Sequence, residues 1–105
     1  MRPVAVNVVR GAKALASPVR LTILEYLKDP EAHFPPQVDG HLLKDGVCAD
    51  FLREKLGIAA ATASQHLKVL CDAGFLIPTR RKQWTFYRRD ERAIRELGRM
   101  IRAEA

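Results

Sequence analysis

No apolar run in this chain approaches the roughly 18 residues that a membrane-spanning helix requires, so no span is expected. Nor is there a signal-peptide core: Asn7, Arg10 and Lys13 interrupt the apolar residues that follow Met1-Arg2-Pro3-Val4. Cysteine is scarce. Two thiols, Cys48 and Cys71, cannot build a disulfide framework, and a reducing, cytoplasmic setting is the expectation. Enzyme signatures are missing too. The sequence has no Gly-rich phosphate loop, no His-Glu-x-x-His and no acidic residue placed to orient Ser64-Gln65-His66 as a triad, so catalysis and a cofactor are not expected. No heptad or longer internal repeat is visible. At 105 residues the chain fits one domain, and its 48% apolar content is enough for a packed core rather than a disordered segment.

Positive charge is abundant and uneven. Against twelve acidic residues stand eighteen Lys and Arg, a net charge of +6. Half of the basic residues, but only four of the acids, lie beyond residue 78. Arg80, Arg81, Lys82, Arg88 and Arg89 fall within one acid-free stretch, interleaved with Trp84, Phe86 and Tyr87. A basic run is often only a solvated face, but aromatic interleaving points toward a phosphate-facing hairpin. Residues 29–46 have the opposite character, with Asp29, Glu31, Asp39 and Asp45 against Lys44 alone.

Periodicity divides the chain into short elements. Val4, Val8, Ala12 and Leu15 recur at helical spacing and predict a helix over 4–16. Ser17-Pro18 is a helix start, with Ser17 as cap and Pro18 at the first helical position of a segment ending at Lys28. Residues 29–46, rich in Pro and Gly, read as an atypical linker in which His41-Leu42-Leu43 could form a short strand. Cys48, Phe51, Leu52 and Leu56 predict a helix over 47–56, closed by Gly57. A further helix over 61–72 turns Ala63, Leu67 and Leu70 to one side and Ala61, Gln65, Lys68 and Asp72 to the other; Gly74 ends it. Alternation in Ile77–Arg81 and Trp84–Arg88, around Lys82-Gln83, predicts a β-hairpin although that link lacks Gly, Asn and Asp. Ile94, Leu97 and Ile101 mark a last helix over 90–103.

A mainly helical chain with two short helices over 47–72 and a basic hairpin over 75–89 has the winged helix-turn-helix pattern, in a single domain spanning 1–105. In that pattern the second helix fits a major groove and the hairpin pins the adjacent backbone. Ala14-Leu15-Ala16-Ser17-Pro18-Val19-Arg20-Leu21-Thr22-Ile23-Leu24 resembles the opening segment of the ArsR/SmtB family of bacterial regulators. Leu56-Gly57-Ile58, Ala61 to Leu70, Asp72 to Ile77, and Gln83 to Arg88 resemble further blocks of that family in the same order.

This resemblance implies a homodimeric repressor that binds double-stranded promoter DNA and leaves it when a small-molecule, metal or redox inducer binds. It implies dimerisation through the first and last helices, 4–16 and 90–103, whose apolar seams could otherwise serve an intrachain core. It also implies that Thr62, Ser64, Gln65, His66 and Lys68 face or flank DNA, with Arg80, Arg81 and Lys82 on phosphate. His66 lies toward the core side of the helix, which favours packing or a phosphate over base readout.

The sequence departs from the family where Ala59, Ala60 and Ala61 replace a polar cap and a Gln, and where the wing turn is about one residue shorter. The family's metal sites find no counterpart. Cys48 and Asp50 stand where one site type has a Cys-x-Cys pair, and residues 90–105 contain no His. A mixed site from His33, Asp39, His41 and Cys48, and a redox pair of Cys48 with Cys71, remain as minor alternatives. So does a different class of function: a winged-helix module docking an acidic partner protein.

Overall fold

The computed structural model describes residues 3–104, with side chains over 8–103. Its elements are α1 (Pro3–Leu15), α2 (Pro18–Lys28), α3 (Pro30–His33), β1 (Val47–Cys48), α4 (Ala49–Leu56), α5 (Ala60–Asp72), β2 (Leu76–Arg81), β3 (Trp84–Arg89) and α6 (Glu91–Glu104). The break between α1 and α2 follows from local chemistry. Ser17 is extended (φ −157°), its Oγ accepts the Arg20 amide at 3.2 Å, and Pro18 opens the helix where no amide donor is needed. Gly57 ends α4 in the left-handed region (φ 68°), and Asp90 caps α6 by accepting the Ala93 amide at 3.1 Å.

The core sits where α2, α4 and α5 converge on the sheet. Ile23, Val47, Leu52, Leu67 and Leu70 are fully enclosed. Phe34 stacks on Phe51 (centroids 6.4 Å apart, planes at 16°) and meets Tyr26 edge-on. Helices α1 and α6 pack against each other within the chain. A methyl group placed on Gly11 of α1 would come within 2.8 Å of Leu97 Cδ1, so glycine permits this close approach. Leu97 is therefore core, while Ile94 is only partly covered and Ile101 is exposed; the expected seam residue Val4 lies outside the described side chains.

Strands are arranged β1-β3-β2, all antiparallel, with Thr79 opposite Phe86, Val47 opposite Tyr87 and Cys48 opposite Phe86. The hairpin turns at Lys82-Gln83, with Lys82 at φ 55°, a left-handed conformation unusual for a side chain of this kind.

The segment 29–46 differs most from its sequence reading. It contains the short α3, and it buries Phe34 and Leu42 instead of running free over the surface. His41-Leu42-Leu43 is not a strand. The Asp45 amide donates to the His41 carbonyl at 2.8 Å, Asp45 Oδ2 accepts the His41 amide at 2.9 Å, and His41 Nδ1 accepts from the Leu43 and Lys44 amides. Polar side chains thus satisfy the backbone locally and close a turn in place of a ladder.

The strand forms a few residues later, at Val47–Cys48, and α4 starts at Ala49, two residues after the expected boundary. Cys48 is accordingly a strand residue preceding the helix and not part of its apolar face. Gly46 makes the approach possible. Its φ is +103°, and a Cβ there would stand 2.1 Å from the Tyr87 carbonyl oxygen.

Candidate nucleic-acid interface

Helix α5 has an anchored side and an open side. Ala63, Leu67 and Leu70 are 2%, 1% and 0% exposed and fix the helix to the core. Thr62, Ser64, Gln65 and Lys68 are all exposed. Ser64 and Gln65 therefore stand on a rigid element with their polar atoms toward solvent. The residue preceding the helix, Ala59, provides no side-chain cap, as the alanine run led us to expect. Lys68 is less available than its exposure implies: its Nζ lies 2.8 Å from Asp72 Oδ2, and this hydrogen bond holds the ammonium pKa above its ordinary value.

His66 is half-buried, and its Nδ1 accepts a hydrogen bond from Arg20 Nη1 at 3.1 Å, since a guanidinium can only donate. The same Arg20 donates through Nε to the Ala14 carbonyl at 2.5 Å and through Nη2 to the Lys13 carbonyl at 3.2 Å. One arginine on α2 therefore ties the last carbonyls of α1 to α5. His66 belongs to this junction, in keeping with a packing role. Sequence reasoning did not single out Arg20, because its partner is 46 residues away and no local pattern reports that distance.

The wing is also more engaged than its composition implied. Arg81 Nη2 pairs with Asp45 Oδ1 at 3.0 Å, and Lys82 Nζ pairs with Asp39 Oδ1 at 3.0 Å. Both acids come from segment 29–46. Arg80 donates to the Lys82 carbonyl at 3.2 Å across the turn. Hydrogen bonding from Arg81 holds the Asp45 carboxyl below its ordinary range, aided by the His41 amide. Arg88 is exposed on β3, whereas Arg89 turns inward to the Leu24 carbonyl at 3.0 Å and to Glu91.

The remaining candidates are not gathered into a site. Among the described residues, no three His, Cys, Asp or Glu side chains come together as a metal-ligand set, so His33, His41 and Cys48 do not form one. His33 instead packs on Tyr26, with centroids 4.8 Å apart, and His41 closes its own turn. Cys48 and Cys71 are free thiols, and burial raises the pKa of both, away from the thiolate character that reactive cysteines need. No helix among the described residues is long and apolar enough to cross a membrane.

A helix-turn-helix domain family matches residues 15–79, the span from the end of α1 into the wing. An uncharacterized HTH-type transcriptional regulator, YbzH of Bacillus subtilis (strain 168), is 39% identical over 92 residues, or 88% of this chain and 92% of that protein. The chain belongs to the helix-turn-helix family of transcriptional regulators. In this helix-turn-helix family member, α4 and α5 are consecutive helices joined at Gly57, and the β2–β3 hairpin follows them. Two solved structures from Mycobacterium bovis share its fold.

One of them is the homodimeric winged helix-turn-helix DNA-binding domain (fragment 1–100) of Mb0332, a possible ArsR-family transcriptional regulator. It is 23% identical, with a TM-score of 0.63 over 93% of this chain and 78% of that one. The other, a possible transcriptional regulatory protein (fragment 1–100), is 24% identical, with a TM-score of 0.66 over 98% of this chain and 97% of that one. The likeness shows a winged helix-turn-helix fold with a small antiparallel sheet.

Proposed function

We propose that this helix-turn-helix protein is a sequence-specific DNA-binding transcriptional regulator that acts as a homodimer. The observation that carries the reading is the polar, exposed face of α5, with Thr62, Ser64 and Gln65 set on a helix anchored by Ala63, Leu67 and Leu70. A major groove about 12 Å wide admits such a helix. Gln65 is suited to a bidentate contact with adenine, and Ser64 to a base or a phosphate. Lys68 flanks the face, Arg80 stands on the wing toward the backbone, Arg81 and Lys82 would reach it once released from Asp45 and Asp39, and His66 holds α5 in place from behind.

The dimer would use α1 and α6. Leu21 and Ile101, 51% and 42% exposed, line one hollow with Leu15 of α1 and Ile94 and Leu97 of α6, apolar surface that a two-fold contact would cover. Such a dimer would place two α5 helices about 34–36 Å apart, one turn of DNA. We further read it as a repressor whose operator affinity falls when an inducer favours another arrangement of the two helices, a shift limited by the inducer's differential affinity for the two states.

The test is a salt titration on the duplex upstream of its own gene, with a scrambled duplex beside it. Tight, salt-steep binding that prefers the native duplex, with two protomers per site, is expected. Equal weak binding to both duplexes would overturn the reading and favour a protein-docking module.

A further inference from the structure

We propose that the cavity between segment 29–46, α4 and the wing binds an organic cation with an apolar body, such as a quaternary ammonium or a protonated hydrophobic amine. The cavity is about 480 Å³, inside the range of about 300–1,000 Å³ usual for small-molecule sites. Half-buried Phe51 of α4 and Trp84 of β3 supply aromatic surface above the buried Phe86, while Asp39, Asp50 and Glu54 supply three carboxylates.

The lining itself contains no Lys or Arg. Lys82 and Arg53 pair with Asp39 and Asp50 from outside it, so three carboxylates against two cations leave one negative charge in excess, with Glu54 the carboxylate that makes no salt bridge among the described residues. Carboxylates around aromatic faces recognise a cation twice, by charge and by the ring quadrupole, and they repel phosphates and nucleotides. A bare metal ion is a poor occupant, because no three acidic, His or Cys side chains among the described residues converge on one point.

The walls are fastened before any ligand arrives. Gln37 bridges segment 29–46 to the sheet, its Nε2 donating to the Gly46 carbonyl and its Oε1 accepting the Cys48 amide, both at 2.8 Å. Gly40 lies so close to the Phe86 ring that an added Cβ would sit 2.5 Å from it. Asp39 is held by Lys82 and Asp50 by Arg53 Nε at 3.2 Å, each through one carboxylate oxygen. A preformed wall lowers the ordering cost of binding.

Trp84 is the only tryptophan, so its fluorescence reports the cavity directly. The experiment titrates the full chain with benzyltrimethylammonium in low salt, using neutral benzyl alcohol as the matched control, and repeats both on Glu54→Gln and on the double variant Asp50→Asn/Glu54→Gln. Both positions are exposed, and thermal unfolding checks that each variant folds. A saturable change with the cation, at least about tenfold weaker in the double variant and for benzyl alcohol, is expected from paired charge and cation–π terms. No saturation, equal binding of the alcohol, or unchanged affinity in a folded double variant would overturn the proposal. No DNA enters this titration, so its outcome is independent of the regulator reading.

Discussion

Releasing Lys82 from Asp39 tests how the wing meets DNA. The pair is exposed on the lysine side, 72% against 27% for the aspartate, so breaking it costs the fold little, about 0–1 kcal/mol. Asp39→Asn leaves an uncharged partner and frees one ammonium per protomer at the wing turn. Each additional phosphate neutralised steepens the dependence of log K on log salt by about 0.9. Two wings in a dimer then add about 1.8 to the slope, which over a fourfold change from 50 to 200 mM salt is roughly a twelvefold greater loss of affinity.

Fluorescence anisotropy of a labelled operator duplex, titrated at four or five salt concentrations, measures this slope directly. The variant should bind more tightly than the parent at low salt and lose that advantage as salt rises. Adding Lys82→Gln to Asp39→Asn should restore the parental slope. An unchanged slope in Asp39→Asn would refute the reasoning: either Lys82 does not reach phosphate, or Asp39 does not restrain it.

Gln65→Ala should cost about 1–3 kcal/mol at one base pair and relax specificity there, read from competition among single-substitution duplexes; unchanged preference would move the reading face elsewhere on α5. Gly46→Ala should destabilise the fold by at least about 2 kcal/mol, seen as a lowered thermal midpoint, because it combines a left-handed backbone with a clash on the Tyr87 carbonyl. Asp45 has its pKa depressed in the folded state by Arg81, so its contribution is present above the ordinary value of 3.8 and is lost as pH falls through the lower folded pKa. The stability gap between the parent and Asp45→Asn should therefore begin to close as pH falls below 3.8, and a constant gap down to about pH 2 would contradict the assignment.

Much of the architecture was written locally. Ser17-Pro18 determined the start of α2, because a hydroxyl cap and a proline at the first helical position act within one turn. Gly57 closed α4, and the spacing of Ala63, Leu67 and Leu70 determined the buried side of α5, and hence which residues look outward. Alternation drew the hairpin to within a residue at each outer end.

What the sequence could not determine were the partners of its charges. Asp39 and Asp45 read only as part of an acidic linker, with Asp39 a minor metal-ligand alternative, yet folding pairs them with Lys82 and Arg81, 43 and 36 residues away. Arg20 read as one residue of a motif until tertiary packing put it between α1 and His66. The misplaced strand has the same origin. His41 and Asp45 satisfied their own backbone, and β1 formed only where Gly46 allowed the chain to lie against Tyr87. Helix ends and buried stripes are fixed by neighbours one turn away, whereas ion pairs and sheet edges depend on contacts that exist only after the chain has closed on itself.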